Sequence, residues 1–133
     1  MLIMTLNTEC LRAVLLSIES LSEIQEDDSS FIEVYPDLED ILSCDLCSKY
    51  KSKDVVYCLK CLCDEKLISG EPLYGDGAIQ DFSISGITPD GRKFLDKIRD
   101  NSIFKKMLSK IKGAGISFSV ANLFQLSLQA ELN

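Results

Sequence analysis

Residues 55–99 of the chain read VVYCLKCLCDEKLISGEPLYGDGAIQDFSISGITPDGRKFLDKIR, and this stretch determines the predicted fold. Its first part carries apolar residues at helical spacing and predicts a helix that ends near Leu67-Ile68-Ser69-Gly70. Gly75-Asp76-Gly77 then predicts a tight β-hairpin between two short strands, because glycines tolerate the positive φ angles of such turns. Thr88 as N-cap, with Pro89 at the first helical position, predicts the start of another helix.

The residues that precede this stretch predict two more helices and a short strand. Apolar residues at helical spacing predict a first helix from about Thr8 to Ile24. Residues 25–30 are predicted to form a polar acidic loop, and residues 31–35 a short strand that ends before a proline. A second helix is predicted from Pro36 to about Tyr50, and Ser52 is the predicted N-cap of the third helix.

The order of these elements indicates a particular α+β fold that is mostly helical. Two helices joined by a brief turn form a helix-turn-helix unit, and a β-hairpin directly after the second of them forms a wing. The sequence therefore predicts a winged helix-turn-helix with additional helices at its C-terminal end.

The C-terminal segment is predicted to be an extension of this domain. Helical spacing continues to Lys112, so we assign residues 1–112 to the winged helix-turn-helix domain and residues 113–133 to a C-terminal apolar helix over about 117–132. Because this helix is apolar nearly all round, it must be buried, either against its own domain or against a second copy of the chain. Its candidate dimer interface consists of Val120, Leu123, Phe124 and Leu128.

Several of these motifs together resemble a known protein family. They are Tyr57-Cys58-Leu59-Lys60-Cys61-Leu62, then Leu67-Ile68, then the stretch from Ile87 to Asp100, and finally Ile103-Phe104-Lys105-Lys106. In these motifs the chain is similar to the phage- and prophage-borne family numbered 2513 among the domains of unknown function. The resemblance implies a winged-helix fold and an origin in a bacterium or a mobile element, and it implies no activity.

Composition indicates a soluble globular protein whose two halves differ in charge. The 133 residues are 46% hydrophobic and 26% charged, and no apolar run is long enough to cross a membrane. The first residues lack the basic stretch and cleavage site of a secretory signal, so we expect a cytoplasmic protein. The net charge is −7, with −10 in residues 1–48 and +3 in residues 49–133. An acidic protein is repelled by nucleic acid at long range, so any DNA binding would need a local basic patch.

The cysteines raise the question of a zinc site. Cys44 and Cys47 form one pair and Cys58 and Cys61 a second, and two such pairs can surround a tetrahedral ion. Neither pair has the flanking glycine or proline of a zinc knuckle, and the second pair lies within a predicted helix. Buried thiols that fill core space are therefore the favoured interpretation, with zinc binding and redox sensing as the alternatives. We expect no disulfides in a reducing cytoplasm.

The sequence does not indicate an enzyme. It contains no histidine, which removes the commonest general base and nitrogen ligand. It also lacks a glycine-rich phosphate loop and a nucleophile elbow. We therefore expect neither catalysis nor a cofactor.

Two functional hypotheses remain. In the first, the protein is a DNA-binding or transcription-regulatory accessory protein whose third helix enters the major groove of duplex DNA. The side chains that face the base edges would then be Lys53, Asp54, Tyr57 and Lys60, and those that contact the phosphates would be Lys49 and Lys51. The third helix lacks the Arg, Asn and Gln side chains that read bases bidentately. In the second hypothesis, a winged-helix scaffold without nucleic-acid binding docks a protein partner through its acidic first half or its last helix.

Overall fold

The computed structural model describes residues 5–129 and shows an α+β protein, as predicted. Within that range it contains six helices and two antiparallel two-stranded hairpins. In chain order the elements are α1 (Thr8–Leu21), β1 (Glu23–Asp27), β2 (Ser30–Val34), α2 (Leu38–Ser43), α3 (Ser52–Asp64), β3 (Ile68–Gly75), β4 (Ala78–Ile87), α4 (Pro89–Ile98), α5 (Asn101–Ala114) and α6 (Val120–Ser127). We call β1–β2 the first hairpin and β3–β4 the second hairpin.

Helix α1 lies at the centre of the hydrophobic core. It contacts α2, α3, α4 and β4, and its apolar face is fully buried. Asn7 caps the helix, because its Oδ1 accepts a hydrogen bond from the backbone N–H of Cys10 at 3.0 Å. The side chains that this helix contributes to the core are Leu11, Val14, Leu15 and Ile18.

The structure corrects the prediction for residues 22–30 and confirms the strand predicted at residues 31–35, which is β2. Helix α1 ends at Leu21, because the N–H and the hydroxyl of Ser22 both donate to the carbonyl of Ile18, and its backbone is extended. Residues 25–30 are not a loop: most of them belong to the first hairpin, whose strands are joined by the two-residue turn Asp28-Ser29. The sequence analysis missed β1 because acidic residues, which are depleted in strands, dominate it.

The structure also shortens the predicted second helix. Helix α2 ends at Ser43, and the following residue, Cys44, is extended. Residues 45–49 then form turns, in which the carbonyl of Cys44 accepts hydrogen bonds from two later backbone N–H groups at 2.9 Å. These turns place Cys47 in the core, where it is 1% exposed. Helix α3 begins at Ser52, and its N-cap is Lys51 rather than Ser52.

The second hairpin and the helix that follows it are confirmed. Asp76 and Gly77 form the turn with φ values of 53° and 77°, in the left-handed region. Thr88 caps α4, because its Oγ1 accepts a hydrogen bond from the N–H of Gly91 at 3.0 Å and donates one to the carbonyl of Lys66 at 2.8 Å. A Cβ at Gly91 would clash with the carbonyl oxygen of Leu67, so only glycine permits this close packing.

The C-terminal segment packs back onto its own domain. Helix α6 begins at Val120 and ends at Ser127, so it is shorter than predicted, and the predicted part beyond residue 129 lies outside the described residues. It contacts α4 and α5 and joins the same core as α1 and α3. Within residues 5–129, no helix has the length and apolar character that crossing a bilayer requires.

Candidate interaction surfaces

Helix α3, the predicted recognition helix, presents a mixed outer face. Its inner face is buried in the core, while Lys53 is exposed and Tyr57 and Lys60 are half-buried. The Nζ of Lys60 lies 3.0 Å from a carboxylate oxygen of Asp64, one helical turn away, and this ion pair raises the pKa of the lysine. A hydrogen bond to Cys61 raises the pKa of the Tyr57 hydroxyl. Two of the four predicted base-reading side chains, Lys60 and Tyr57, therefore already have partners within α3.

Three lysines without an ion-pair partner among the described residues lie at the N-terminal end of α3 or just before it. Lys49, Lys51 and Lys53 are all exposed, and the Nζ of Lys49 lies 5.4 Å from the ring centroid of Tyr50. None of the three forms an ion pair with another described residue. The partial positive charge of a helix N-terminus adds to these lysines, while Asp54 in the first turn opposes them.

The second hairpin, which corresponds to the predicted wing, carries no positive charge. Residues 67–91 contain no lysine or arginine, whereas they contain Glu71, Asp76, Asp81 and Asp90. A wing that follows the DNA backbone needs cationic or hydrogen-bonding contacts to phosphate. The charge of this hairpin therefore disfavours such contacts.

One side of α3 faces the C-terminal segment across a groove of about 510 Å³. Tyr57, Cys61 and Asp64 line it from α3, and residues 117–121 line it from the other side. The C-terminal segment therefore lies next to Tyr57, one of the side chains that would have to enter the major groove of DNA.

The four cysteines of the zinc alternative do not form a metal site in the structure. In the part of the chain that it describes, no three potential ligands from His, Cys, Asp and Glu come close enough to hold an ion. Burial raises the pKa of Cys47 and Cys61. A hydrogen bond with Cys10 and burial raise the pKa of Cys58 well above its usual range. These environments favour the neutral thiol at three of the four positions.

The thiols instead take part in core packing. Cys10 and Cys58 are fully buried and join α1 to α3, and the Sγ of Cys47 donates to the Oγ of Ser17 at 3.6 Å. Burial also raises the pKa of Cys63 to about 11. All six cysteines are free thiols.

Most residues of the predicted dimer interface pack against other residues of the same chain. Val120 and Leu123 are 3% and 0% exposed. The ring of Phe124 packs edge-on against Phe94, with centroids 6.0 Å apart. Leu128 is 54% exposed. Three of the four residues therefore contribute to this chain's own core, and a dimer through them would require α6 to detach.

The first hairpin is a surface that the sequence analysis did not identify. Four of its five β2 residues and all five of its β1 residues are exposed. It makes no extensive contact with any other described element. Large apolar side chains on it are unusually accessible: Phe31 is 71% exposed, Ile24 69% and Ile32 47%.

The register of the first hairpin places acidic and apolar side chains on one face. Ile24 is paired with Glu33, and Glu26 with Phe31. Directly paired residues share a face of the sheet, and alternate pairs share the same face. These four side chains therefore form a two-by-two array, which we call the acidic–apolar face, with the two acids on one diagonal. The hydroxyl of Tyr35 donates to Glu33 at 3.0 Å.

Comparison with known proteins identifies a family but no characterised relative. No curated protein and no solved structure matches the chain. The model of a family described as "Hypothetical protein (DUF2513)" matches residues 5–117, which include every element from α1 to α5. The chain therefore belongs to the DUF2513 family.

Proposed function

We propose that the protein is a protein-interaction module on a winged-helix scaffold, which binds rather than catalyses. In this assignment α1, α2 and α3 form the helical part, the second hairpin is the wing, and the first hairpin is an addition between α1 and α2. The cytoplasm is the expected compartment, and the phage or prophage origin stays a prediction.

The acidic–apolar face carries this proposal. An isolated two-stranded hairpin is marginally stable in water, and both of its edges are open to pairing. Exposed apolar side chains grouped among charges are typical of a binding surface rather than of a solvated one. Phe31 and Ile24 would supply buried contact area, and Glu26 and Glu33 would select a partner with basic side chains.

The proposal is tested by photo-crosslinking in cells that naturally express the protein. A photoreactive phenylalanine analogue is placed at position 31, or at position 74 as a control. Tyr74 is an aromatic residue on the second hairpin and is 63% exposed, so the two probes are similarly accessible. We expect crosslinks to discrete proteins from position 31 only, and their loss in the double variant Glu26→Lys, Glu33→Lys. Equal labelling from both positions would contradict the proposal.

A second candidate function is binding of duplex DNA, and one observation favours it. Lys49, Lys51 and Lys53 are exposed together at the N-terminal end of α3. In helix-turn-helix proteins that end of the recognition helix contacts the base edges. We rank DNA binding second for two reasons. The second hairpin has no basic residue, and Lys60 is already paired with Asp64.

Fluorescence anisotropy with random duplex DNA tests the second candidate. We expect weak binding at low salt, and its loss when all three lysines are changed to glutamate. The matched control changes Lys93, which is exposed on α4, in the same way. Each lost phosphate contact should reduce the slope of log affinity against log salt by about 1. Absence of binding at low salt would exclude the candidate.

A further inference from the structure

A groove between α5 and α6 has the opposite chemistry to the acidic–apolar face. It has a volume of about 310 Å³, at the lower end of the range of ligand pockets. Ala114, Ile116 and Leu126 supply apolar lining, and Ile116 is 50% exposed. Lys110 lies at its margin and is exposed.

Helix α5, which forms one side of this groove, is positively charged. Residues 101–114 contain four lysines and no acidic residue, and all four lysines are exposed. None of the four forms an ion pair with another described residue. Lys106, Lys110 and Ala114 follow one another at a spacing of four residues, so they share one face of the helix, with the two lysines leading to the groove.

The acidic–apolar face and this groove are complementary in charge, and the spacings of their charged residues differ by only about 2 Å. Lysines four residues apart on a helix are about 5–6 Å apart at Cβ. Diagonal neighbours on a hairpin face, here Glu26 and Glu33, are about 7–8 Å apart. Two carboxylates can therefore face Lys106 and Lys110, while Phe31 supplies an aromatic side chain for the apolar groove.

The same complementarity extends to the two halves of the chain. Residues 1–48 carry a net charge of −10, and residues 49–133 carry +3. A contact that places the acidic half of one copy against the basic helix of another reduces the self-repulsion of an acidic protein. A contact between identical surfaces would place like charges together.

We propose that the first hairpin of one copy docks on the α5–α6 groove of a second copy, with Phe31 in the groove and Glu26 and Glu33 facing Lys106 and Lys110. This inference rests on the proposed function, because it names a partner for the acidic–apolar face. The contact joins two different surfaces, so it is head-to-tail and generates a ring or a chain of copies. It replaces the dimer predicted through Val120, Leu123, Phe124 and Leu128, because the first two are core residues and Phe124 packs against the core.

Charge-swap complementation tests the inference with the full chain. One variant carries Glu26→Lys and Glu33→Lys, and the other carries Lys106→Glu and Lys110→Glu. Each variant alone presents two surfaces of the same sign at the contact, whereas a mixture of the two restores opposite signs. All four residues are exposed, so both variants are expected to fold. Circular dichroism and thermal unfolding check that they do.

Sedimentation velocity over a concentration series gives the readout. We expect the mass of the wild-type protein to rise above the 14.8 kDa of one chain with concentration, and to fall again with added salt. Each variant alone should associate at least about tenfold more weakly, because like charges meet at the contact. An equimolar mixture should regain association.

Two sedimentation results would overturn the inference. They are a wild-type protein that stays monomeric at high concentration, and a mixture that associates no better than its components. If the protein is monomeric but position 31 still crosslinks to another protein, the proposed function stands and only its partner is different. If position 31 crosslinks to nothing, both proposals fail.

Discussion

The two hairpins share a local geometry but differ in what they contact. Each has a two-residue turn that begins with an aspartate in the left-handed region, Asp28 at φ 54° and Asp76 at φ 53°. The second hairpin buries three large side chains, Ile68, Phe82 and Ile84, in the core. The first hairpin buries none of its strand residues. Backbone pairing therefore makes a hairpin, and side-chain packing decides whether it is part of the core or a displayed surface.

The difference lies in how apolar residues are arranged along the strands. In β4 the buried residues Phe82 and Ile84 are two positions apart, so they share the face that meets the core. In the first hairpin Ile24 and Phe31 share their face with Glu26 and Glu33. Burying that face in an apolar core would leave two carboxylates without solvent or partners. The first hairpin is therefore suited to a partner with basic groups.

Truncation of one phenylalanine in each hairpin should give the largest contrast. Phe82→Ala is expected to lower the free energy of unfolding by about 3–5 kcal/mol, because the side chain is 2% exposed and its loss leaves a cavity. Phe31→Ala should change it by less than about 0.5 kcal/mol, since the side chain already contacts water. Urea denaturation measures both values. Equal losses would show that the first hairpin is also part of the core.

The second residue of each turn provides a smaller contrast. Gly77→Ala should cost about 1–2 kcal/mol, although no atom lies within 4 Å of the added Cβ, because φ is +77° there. Ser29 occupies the equivalent position, and its φ is not positive. Ser29→Ala should therefore change the free energy of unfolding by less than about 0.5 kcal/mol. Thermal unfolding separates the two variants, and an unaffected Gly77→Ala would contradict the strain argument.

The smallest expected effect concerns Glu19, an acidic residue that is paired with an arginine of another helix, whereas Glu26 and Glu33 of the first hairpin form no ion pair with a described residue. Glu19 lies on α1, and its two carboxylate oxygens accept hydrogen bonds from Arg99 at 2.5 and 2.7 Å. This contact lowers the pKa of Glu19 below its unfolded value, so its contribution to stability is present near neutral pH. That contribution is lost as the pH falls through the pKa of the folded state.

Glu19→Gln should consequently destabilise the protein only above that pKa. The loss near neutral pH should be at most about 1 kcal/mol, because both side chains are partly exposed. Denaturation of wild type and variant across the acidic range should show the difference disappear at low pH. A difference that persists there would assign the effect to packing instead of charge.

Sequence reasoning succeeded where local signals agreed with packing. The sequence predicted a helix start at Thr88-Pro89 and a turn at Asp76-Gly77, and both are present in the structure. It was wrong where tertiary contacts override local preference. The second helix stops at Ser43, and the next turns carry Cys47 into contact with Ser17, which no spacing pattern reveals.

The candidate surfaces were less predictable than the fold. Spacing assigned Lys60 and Tyr57 to DNA, but their partners Asp64 and Cys61 depend on side-chain geometry. The second strand of the first hairpin was predicted, whereas its first strand was missed because its acidic residues predicted a loop. The alternation of Glu23-Ile24-Gln25 and the short turn at Asp28-Ser29 were the signals that could have revealed it.

Native-state hydrogen exchange of the monomer at low concentration tests most directly whether the two hairpins differ as described. Backbone amides of β4 near Phe82 and Ile84 should exchange only through openings that approach the global free energy of unfolding. Amides that pair β1 with β2 should exchange through local openings of much lower free energy, because packing does not hold that hairpin. If the first hairpin is as strongly protected as the second in the monomer, it belongs to the core, and the account of it as a displayed docking surface is wrong.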